Sequence, residues 1–466
     1  MVEKYPDATI SDETYFELES IFKKHDSRGL PIFSQEPWAD LNSKYHKHTI
    51  REALQIYILE NESPFPYKRI QKEEVVDLFN KLRRSDYKSY IREAKLKKVE
   101  EVELKAFYKY PEENYSFEND GCLLIQSGHQ YNRGSDYFQQ ENRYDCGTWS
   151  IPSPIDSWRT WKGLKRILGP VWRMDKNKLD EAKYIAGIRL GLYNATQFKP
   201  PVARAMYNLF KARTVMDMSC GWGDRLFGFY TSTAEEYYGC DPNEATYKQY
   251  MEQCRVYESI LDGNCKITEY KDHFVCEGAK KVTIWNLPAE DLDYSQIPEI
   301  DLMFSSPPYF ATEKYAESGN KEQQSWFRYD GHKAWQEDFL YNVLGKVQSR
   351  LSPNGTMAVN IIDGSVKGAR QYICEPMIDH MKTQGIDYKG QIGMTLAQRP
   401  NTVLQRYITR KDGETPEEHT ARVAILEKKV VSEIPYIEPI YVFSNGDYKL
   451  DGSMLNEHMD VDDLFE

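Results

Sequence analysis

From about residue 195 onward the chain alternates strand-like and helix-like patterns, and this alternation limits its fold more than any other feature. Thr214-Val-Met-Asp217 reads as a short strand that ends in a glycine turn. Glu236-Tyr-Tyr-Gly-Cys-Asp241 reads as a second strand, followed by the helical pattern Glu244–Leu261. Lys281-Val-Thr-Ile-Trp285 is a third strand and Ile300–Phe304 a fourth. The helix-like run Ala334–Leu351 then meets the turn Ser352-Pro-Asn-Gly355 and a strand at Thr356–Ile362, and Ile440-Tyr-Val-Phe443 is a late strand. Short apolar strands separated by helical patterns predict an α/β fold with a doubly wound sheet. The segment Thr395–Pro435 is longer than a connection between strands needs.

Upstream the pattern differs. Thr14–Lys24 and Lys72–Lys98 have helical spacing. Gln126–Ser157, rich in Gly, Gln, Tyr, Asn, Ser and Pro, reads as ordered but irregular. At 466 residues, two domains are the natural expectation. Residues 1–190 read as a mainly helical accessory domain (α or α+β) and 191–446 as the domain that holds the sheet. Residues 447–466 read as a loose tail, since Asp451–Glu466 carries six acids and no Lys or Arg.

Composition bounds the function classes. Charged residues are 28% and hydrophobic residues 40%, as in a soluble globular protein. No apolar run approaches the length of a membrane span, and Met1-Val-Glu-Lys-Tyr-Pro-Asp lacks the basic-then-apolar pattern of a signal segment. The eight cysteines form no Cys-x-x-Cys pair, which argues against a zinc ribbon or redox dithiol and for reduced thiols in the cytoplasm. A net charge of −12 excludes wholesale coating of nucleic acid. The basic residues are nevertheless clustered. Lys81, Arg83, Arg84, Lys88, Arg92, Lys95, Lys97 and Lys98 are interleaved with Tyr87 and Tyr90, and Trp158-Arg-Thr-Trp-Lys-Gly-Leu-Lys-Arg166 mixes cations with indoles. Such mixtures suit phosphate contact with base stacking, or simply a solvated helix face.

Two short motifs carry the chemistry. After the fourth strand comes Ser306-Pro307-Pro308-Tyr309, in which each proline fixes its own φ and pushes its predecessor towards extended backbone. On its own this is equally a rigid turn. It also presents a hydroxyl, free carbonyls and an aromatic face together, as a planar substrate with an exocyclic amine requires. The second motif, Asp217-Met-Ser-Cys-Gly221-Trp-Gly223-Asp224-Arg225, follows the first strand. Glycines there let backbone approach a ligand closely, at the sheet edge where open α/β sheets bind ligands. A nicotinamide dinucleotide fingerprint would want a third glycine where Leu226 stands. Asp241 ends the second strand, suited to a pair of ribose hydroxyls or to capping the helix that follows. Beyond the third strand, Glu290 or Asp291 offers a carboxylate to an adenine amine, or forms a surface turn.

Together these elements resemble the S-adenosylmethionine-dependent amino-methyltransferases, which methylate exocyclic nitrogens of DNA bases. The resemblance covers roughly Gln197 to Phe443. It implies a Rossmann-like seven-stranded methyltransferase sheet, with S-adenosyl-L-methionine as cofactor and no metal. Asp217, Ser219, Gly221 and Gly223 would face the methionine part, with Phe198-Lys199-Pro200-Pro201 closing over it. Asp241 would hold the ribose and Glu290 or Asp291 the adenine, with Ser305 on the cofactor side of the elbow. Ser306, Pro307, Pro308 and Tyr309 would be catalytic, Ser306 Oγ and the Pro307 carbonyl accepting from the target amine and Tyr309 stacking on the extruded base. Phe310 and Trp326 would add stacking surface or pack in the core. Serine at the first elbow position tilts the target to cytosine N4 over adenine N6. DNA is the implied partner, with RNA or a protein amide as alternatives on the same fold. A silent nucleic-acid-binding protein is the alternative from another class. The chain departs from many members in Trp222, between the glycines, and in the charged pair Asp224-Arg225.

Overall fold

The computed structural model describes residues 2–5, 7–94, 122–126, 128–174, 177–261, 263–311, 313–315, 321–366, 369–396, 410–433 and 437–456. The chain folds as two compact units. One comprises Met1–Gln71, Gln139–Thr196 and Thr312–Gln324, the other Lys72–Phe138, Gln197–Ala311 and Ser325–Glu466.

The first unit is mainly helical. Helices Asp12–Lys24, Gln35–Lys44, Lys47–Glu60, Trp161–Leu168 and Glu181–Gly191 enclose Phe22, Trp38, Leu54, Leu164 and Ile188. Ser11 caps the first helix by accepting from the Thr14 N–H at 3.2 Å, which relieves one orphan donor. The stacking platform read into the Trp158 segment is corrected at its first residue. Trp158 is buried in this core and donates its indole N–H to the Ser63 carbonyl at 2.9 Å. Its neighbour Trp161 stacks on Tyr5 at 5.1 Å.

The second unit is built on one sheet. Its strands are β1 (Ile91–Ala94), β2 (Cys122–Gln126), β3 (Thr214–Asp217), β4 (Glu236–Cys240), β5 (Lys266–Glu269), β6 (His273–Glu277), β7 (Lys281–Trp285), β8 (Ile300–Ser305), β9 (Leu351–Asn360), β10 (Asp387–Thr395) and β11 (Ile437–Ser444). Their order is β1-β2-β10-β11-β9-β8-β3-β4-β7-β6-β5. The run β7-β4-β3-β8-β9 is parallel throughout, while β11 is antiparallel to both β9 and β10. From β3 the chain winds outwards through β4 to β7, then crosses back to β8 and winds outwards through β9. The sheet is therefore doubly wound, an α/β Rossmann-like fold, and its strand order reverses between β3 and β8. Ligands of such sheets lie at the carboxyl ends of the strands at this switch point.

Strand alternation sets which residues face which layer. Met216 packs with Met303, Trp335, Leu344 and Met377 on one face. Its neighbours Val215 and Asp217 point the other way. On that face Tyr207, from helix Pro200–Leu209, meets Phe304 edge-on at 6.1 Å. Tyr237 meets Phe229 of helix Asp224–Tyr230 at 5.2 Å.

Several expectations need correction. The sheet has more strands than the seven expected, because the hairpin β5–β6 extends one edge and β1–β2 the other. The helix read over Lys72–Lys98 ends at Arg84. Ser85 there turns its hydroxyl back to the Leu82 carbonyl at 2.7 Å, and Asp86 caps the next turn through the Lys88 N–H at 2.9 Å. Short side chains of this kind compete with helical bonding. The chain then enters β1, and Lys95, Lys97 and Lys98 lie outside the described residues. Within the second unit, the described residues of Lys72–Phe138 join the sheet, since β2 pairs in parallel with β10 and the buried Arg204 donates to the Arg83 carbonyl at 2.9 Å. The turn Ser352–Gly355 is a bulge inside β9, where Ile300 pairs with Leu351 but Leu302 with Thr356. The run Ala334–Leu351 carries a π-helical stretch, Trp335–Tyr341, ahead of helix Asn342–Gln348. The long segment Thr395–Pro435 holds helix Pro416–Glu433, with 397–409 outside the described residues. Tyr448 lies within the segment read as tail and bonds Thr356 Oγ1 at 2.9 Å, while 457–466 lie outside the description. No helix among the described residues is long and apolar enough to cross a membrane.

Helix Asp224–Tyr230 ends under Lys280, whose Nζ donates to the carbonyls of Phe229, Ser232 and Ala234 at 2.8, 2.7 and 2.6 Å. The ammonium satisfies acceptors that a helix C-terminus leaves open. Lys280→Met is expected to destabilise the chain by about 1–3 kcal/mol in urea denaturation. A midpoint equal to that of the wild type would refute this capping role.

Candidate active site

The segment after β3 reverses direction through two glycines in the left-handed region, Gly221 at φ +57° and Gly223 at φ +72°. A side chain is disfavoured at both positions, and their surroundings differ. A Cβ on Gly223 would meet the amide of Gln253 at 2.2 and 2.5 Å, so this glycine lets helix Glu244–Leu261 approach. A Cβ on Gly221 would meet only the Ser219 carbonyl, at 3.8 Å. The turn thus has one packed side and one open side.

Asp217 holds this turn together from beneath. Its Oδ2 accepts from Arg225 Nε at 2.7 Å and from the Tyr237 hydroxyl at 2.8 Å. Its Oδ1 accepts from Ser305 Oγ at 2.7 Å, Arg225 Nη2 at 3.1 Å and the Ser219 N–H at 3.2 Å. Burial first, and the Asp217 charge second, push the Tyr237 hydroxyl well above its ordinary range, so it remains a donor. The carboxylate read as facing the methionine part is instead fully engaged by the protein. It ties the first strand, the helix after the turn, the second strand and the elbow into one cluster.

The elbow lies across the switch point from the turn. Ser219 Oγ donates to the Ser306 carbonyl at 2.8 Å and lies 3.1 Å from Ser305 Oγ. Ser305 is buried, whereas Ser306 and Tyr309 are half-buried. Among the described residues no donor reaches the Pro307 carbonyl and no partner engages Ser306 Oγ. The two acceptors that the sequence singles out are therefore unpartnered among the described residues, Ser306 half-buried and Pro307 buried, on backbone fixed by neighbouring hydroxyls. Ser325 Oγ donates to the Phe310 carbonyl at 3.0 Å, which holds the far side of the elbow.

Asp241 emerges from β4 beside the turn. Its Oδ2 accepts from the Gly221 N–H at 2.8 Å and its Oδ1 from the Asn243 N–H at 2.9 Å. The helix cap offered as its other role belongs to Asn243, whose Oδ1 accepts from the Ala245 N–H at 3.0 Å. Burial pushes the Asp241 carboxyl up to about 6, against the pull of the two backbone N–H groups. Thr246 Oγ1 also donates to Oδ1 at 3.4 Å, and a bond from the Tyr250 hydroxyl adds to the pull of the two N–H groups.

Two expected positions are engaged differently. Glu290 and Asp291 both pair with Arg328, at 2.9 and 3.0 Å, and Glu290 also accepts from the Tyr329 hydroxyl. These bonds anchor helix Ser325–Arg328 to the turn after β7. Phe198 lies under the Arg225 guanidinium at 5.3 Å and meets Phe304 edge-on at 5.4 Å. Lys199 Nζ donates to Asn132 Oδ1 at 3.3 Å, and Pro200 opens the helix that follows. The structure ties Asp217, Ser219, Ser305 and Ser306 into one bonded cluster and joins Gly221 to Asp241 as a separate pair. Arg225 and Tyr237 belong to the cluster and were not read as site residues. An arginine eight positions after a strand-end aspartate was the available signal.

No family model matches the chain, and no curated protein does. Solved structures do match, at low similarity. TrmN from Thermus thermophilus is 14% identical over 53% of this chain and 49% of its own, with a TM-score of 0.27. Trm1 from Pyrococcus horikoshii, solved with S-adenosyl-L-methionine, is 14% identical over 54% of this chain and 57% of its own, with a TM-score of 0.27. The StiE O-MT segment is 10% identical over 71% of this chain and 93% of its own, with a TM-score of 0.30. Scores this low carry no argument about activity, and the functional reading rests on the site itself.

Arg225 and Asp217 form a buried ion pair, with side chains 6% and 0% exposed. Removing one partner of such a pair leaves an uncompensated charge and costs about 3–5 kcal/mol. Arg225→Leu is expected to lose that much stability at neutral pH. Thermal unfolding checks it, and an unchanged midpoint would count against the hub.

Proposed function

We propose that the second unit is an S-adenosylmethionine-dependent amino-methyltransferase acting on the exocyclic amine of a DNA base, cytosine N4 or adenine N6. One observation carries the reading. At the switch point, two unpartnered acceptors of a proline-fixed elbow are fastened beside a glycine turn and a ribose-type carboxylate.

The residues fit the cofactor at two places. The open side of Gly221 leaves room for close backbone approach, and Asp241 places a carboxylate beside it at the end of β4. Glu290 and Asp291 fit the adenine amine less well, since Arg328 holds both. Bound S-adenosylmethionine supplies an electrophilic methyl group.

Ser306 Oγ and the Pro307 carbonyl accept from the two hydrogens of the target NH2, which turns its lone pair out of the base plane. Tyr309 provides a face on which the extruded base stacks. The amine becomes acidic only as it gains the methyl group, so no strong base is needed beforehand. Positioning and fixed dipoles do most of the work. Serine rather than an acid at position 306 favours cytosine N4. The same elbow chemistry serves RNA bases and protein amides, which are outcomes that acceptor assays separate.

The double variant Ser306→Ala with Tyr309→Ala is expected to lose DNA methyl transfer by at least about a hundredfold, ~2.7 kcal/mol in the barrier. It should still bind S-adenosylmethionine in calorimetry. Undiminished transfer by this variant would sink the mechanism.

Asp241 gives a second test. The free carboxyl is protonated below about pH 6, whereas two ribose donors require it ionised. Cofactor affinity is therefore expected to weaken as pH falls through about 6, with proton release on binding in that range. Calorimetry in buffers of different ionisation enthalpy reads both. Affinity that is flat down to pH 5 would remove Asp241 from the ribose site.

A further inference from the structure

Asp217 is closed to a ligand, but a second buried acid stands seven positions on. Asp224 is 2% exposed, and only one of its oxygens is engaged. Its Oδ1 accepts from Asn132 Nδ2 at 2.9 Å and from Ser135 Oγ. Among the described residues no donor reaches Oδ2. A buried carboxylate with an open oxygen is costly, and burial pushes the Asp224 carboxyl up to about 7 despite the Ser135 and Asn132 bonds.

The bond that fixes Asn132 also fixes a cation. Its amide is oriented with Nδ2 towards Asp224 and Oδ1 towards Lys199 Nζ at 3.3 Å. Gln197 Nε2 braces the arrangement, donating to the Asn132 carbonyl at 3.3 Å. One planar amide therefore spaces an ammonium and a carboxylate, a pattern complementary to an α-amino acid, which carries both charges on adjacent atoms. Asp136 is the other acid acting on Asp224, and Lys199 the cation.

We propose that Asp224, Asn132 and Lys199 read the α-amino-acid end of the cofactor, Asp224 taking its ammonium and Lys199 its carboxylate. This rests on the cofactor reading above and adds residues to that site. Asn132 comes from a segment that the sequence assigns to the accessory region. Asp224 is one of the two charged residues at which the glycine turn departs from the family pattern. The role offered to Asp217 passes to the acid that still has an open oxygen.

The test is calorimetry on the full chain with three probes: S-adenosylmethionine, its decarboxylated form and 5′-methylthioadenosine. The last lacks the whole amino-acid end and reports the nucleoside site and the fold. Asp224→Asn is expected to weaken the first two by at least about tenfold while leaving methylthioadenosine unchanged. Lys199→Met is expected to weaken S-adenosylmethionine alone. Equal weakening of all three probes by Asp224→Asn, or of none, overturns this inference and leaves the cofactor reading standing. A wild-type chain that binds none of the three removes the cofactor reading and this inference with it.

Discussion

The arrangement of this site depends on one buried carboxylate. Asp217 ends β3 pointing away from the face that carries Met216, and every donor around it comes from a different element. Arg225 supplies the compensating charge from the helix after the glycine turn, Tyr237 a hydroxyl from β4 and Ser305 another from β8. A buried charge is tolerable only when it is paired and hydrogen-bonded. The geometry that satisfies it also fixes the turn and the elbow relative to each other. Specificity of placement is what this pair contributes, since ion pairs of this kind add little net stability compared with apolar packing.

That placement concerns the two ends of the proposed reaction. The glycine turn and Asp241 form the part suited to a nucleoside, and Ser306 with Pro307 the part suited to an amine. Ser219 joins them by donating across the switch point to the Ser306 carbonyl. A transfer reaction whose acceleration comes from alignment needs this distance held, because effective molarity falls steeply with misplacement. The prolines do the same job locally. They fix backbone that no regular ladder could hold at the end of a strand.

Much of the second unit is legible in the sequence. The strand bounds at 214–217 and 281–285 and the helix Glu244–Leu261 agree with the structure. Buried parallel strands are short apolar runs, and Asp241-Pro-Asn243 marks the helix start. The hairpin β5–β6 was not legible, since Lys266–Glu269 is polar and only part-buried at the sheet edge. Strand β10 contains Gly390 and Gly393, which lower strand propensity and hide it. Strand β1 continues what reads as helical spacing. At the site, the positions of Ser306 and Asp241 were legible because their neighbours, prolines and a strand end, constrain them. The partners of Asp217, Glu290 and Asp291 were not, because spacing shows that a carboxylate is present and not which cation has claimed it. Arg225 and Arg328 decide that only in three dimensions.

The central claim is that the unpartnered acceptors of the elbow receive an exocyclic amine. The most direct measurement supplies the full chain with S-adenosylmethionine carrying a deuterated methyl group, alongside duplex DNA, RNA and protein acceptors. The products are then digested and the labelled species identified by mass spectrometry. The account predicts label in DNA, on N4 of cytosine or N6 of adenine. Label on a ring carbon or an oxygen, or no label in any acceptor, would contradict it.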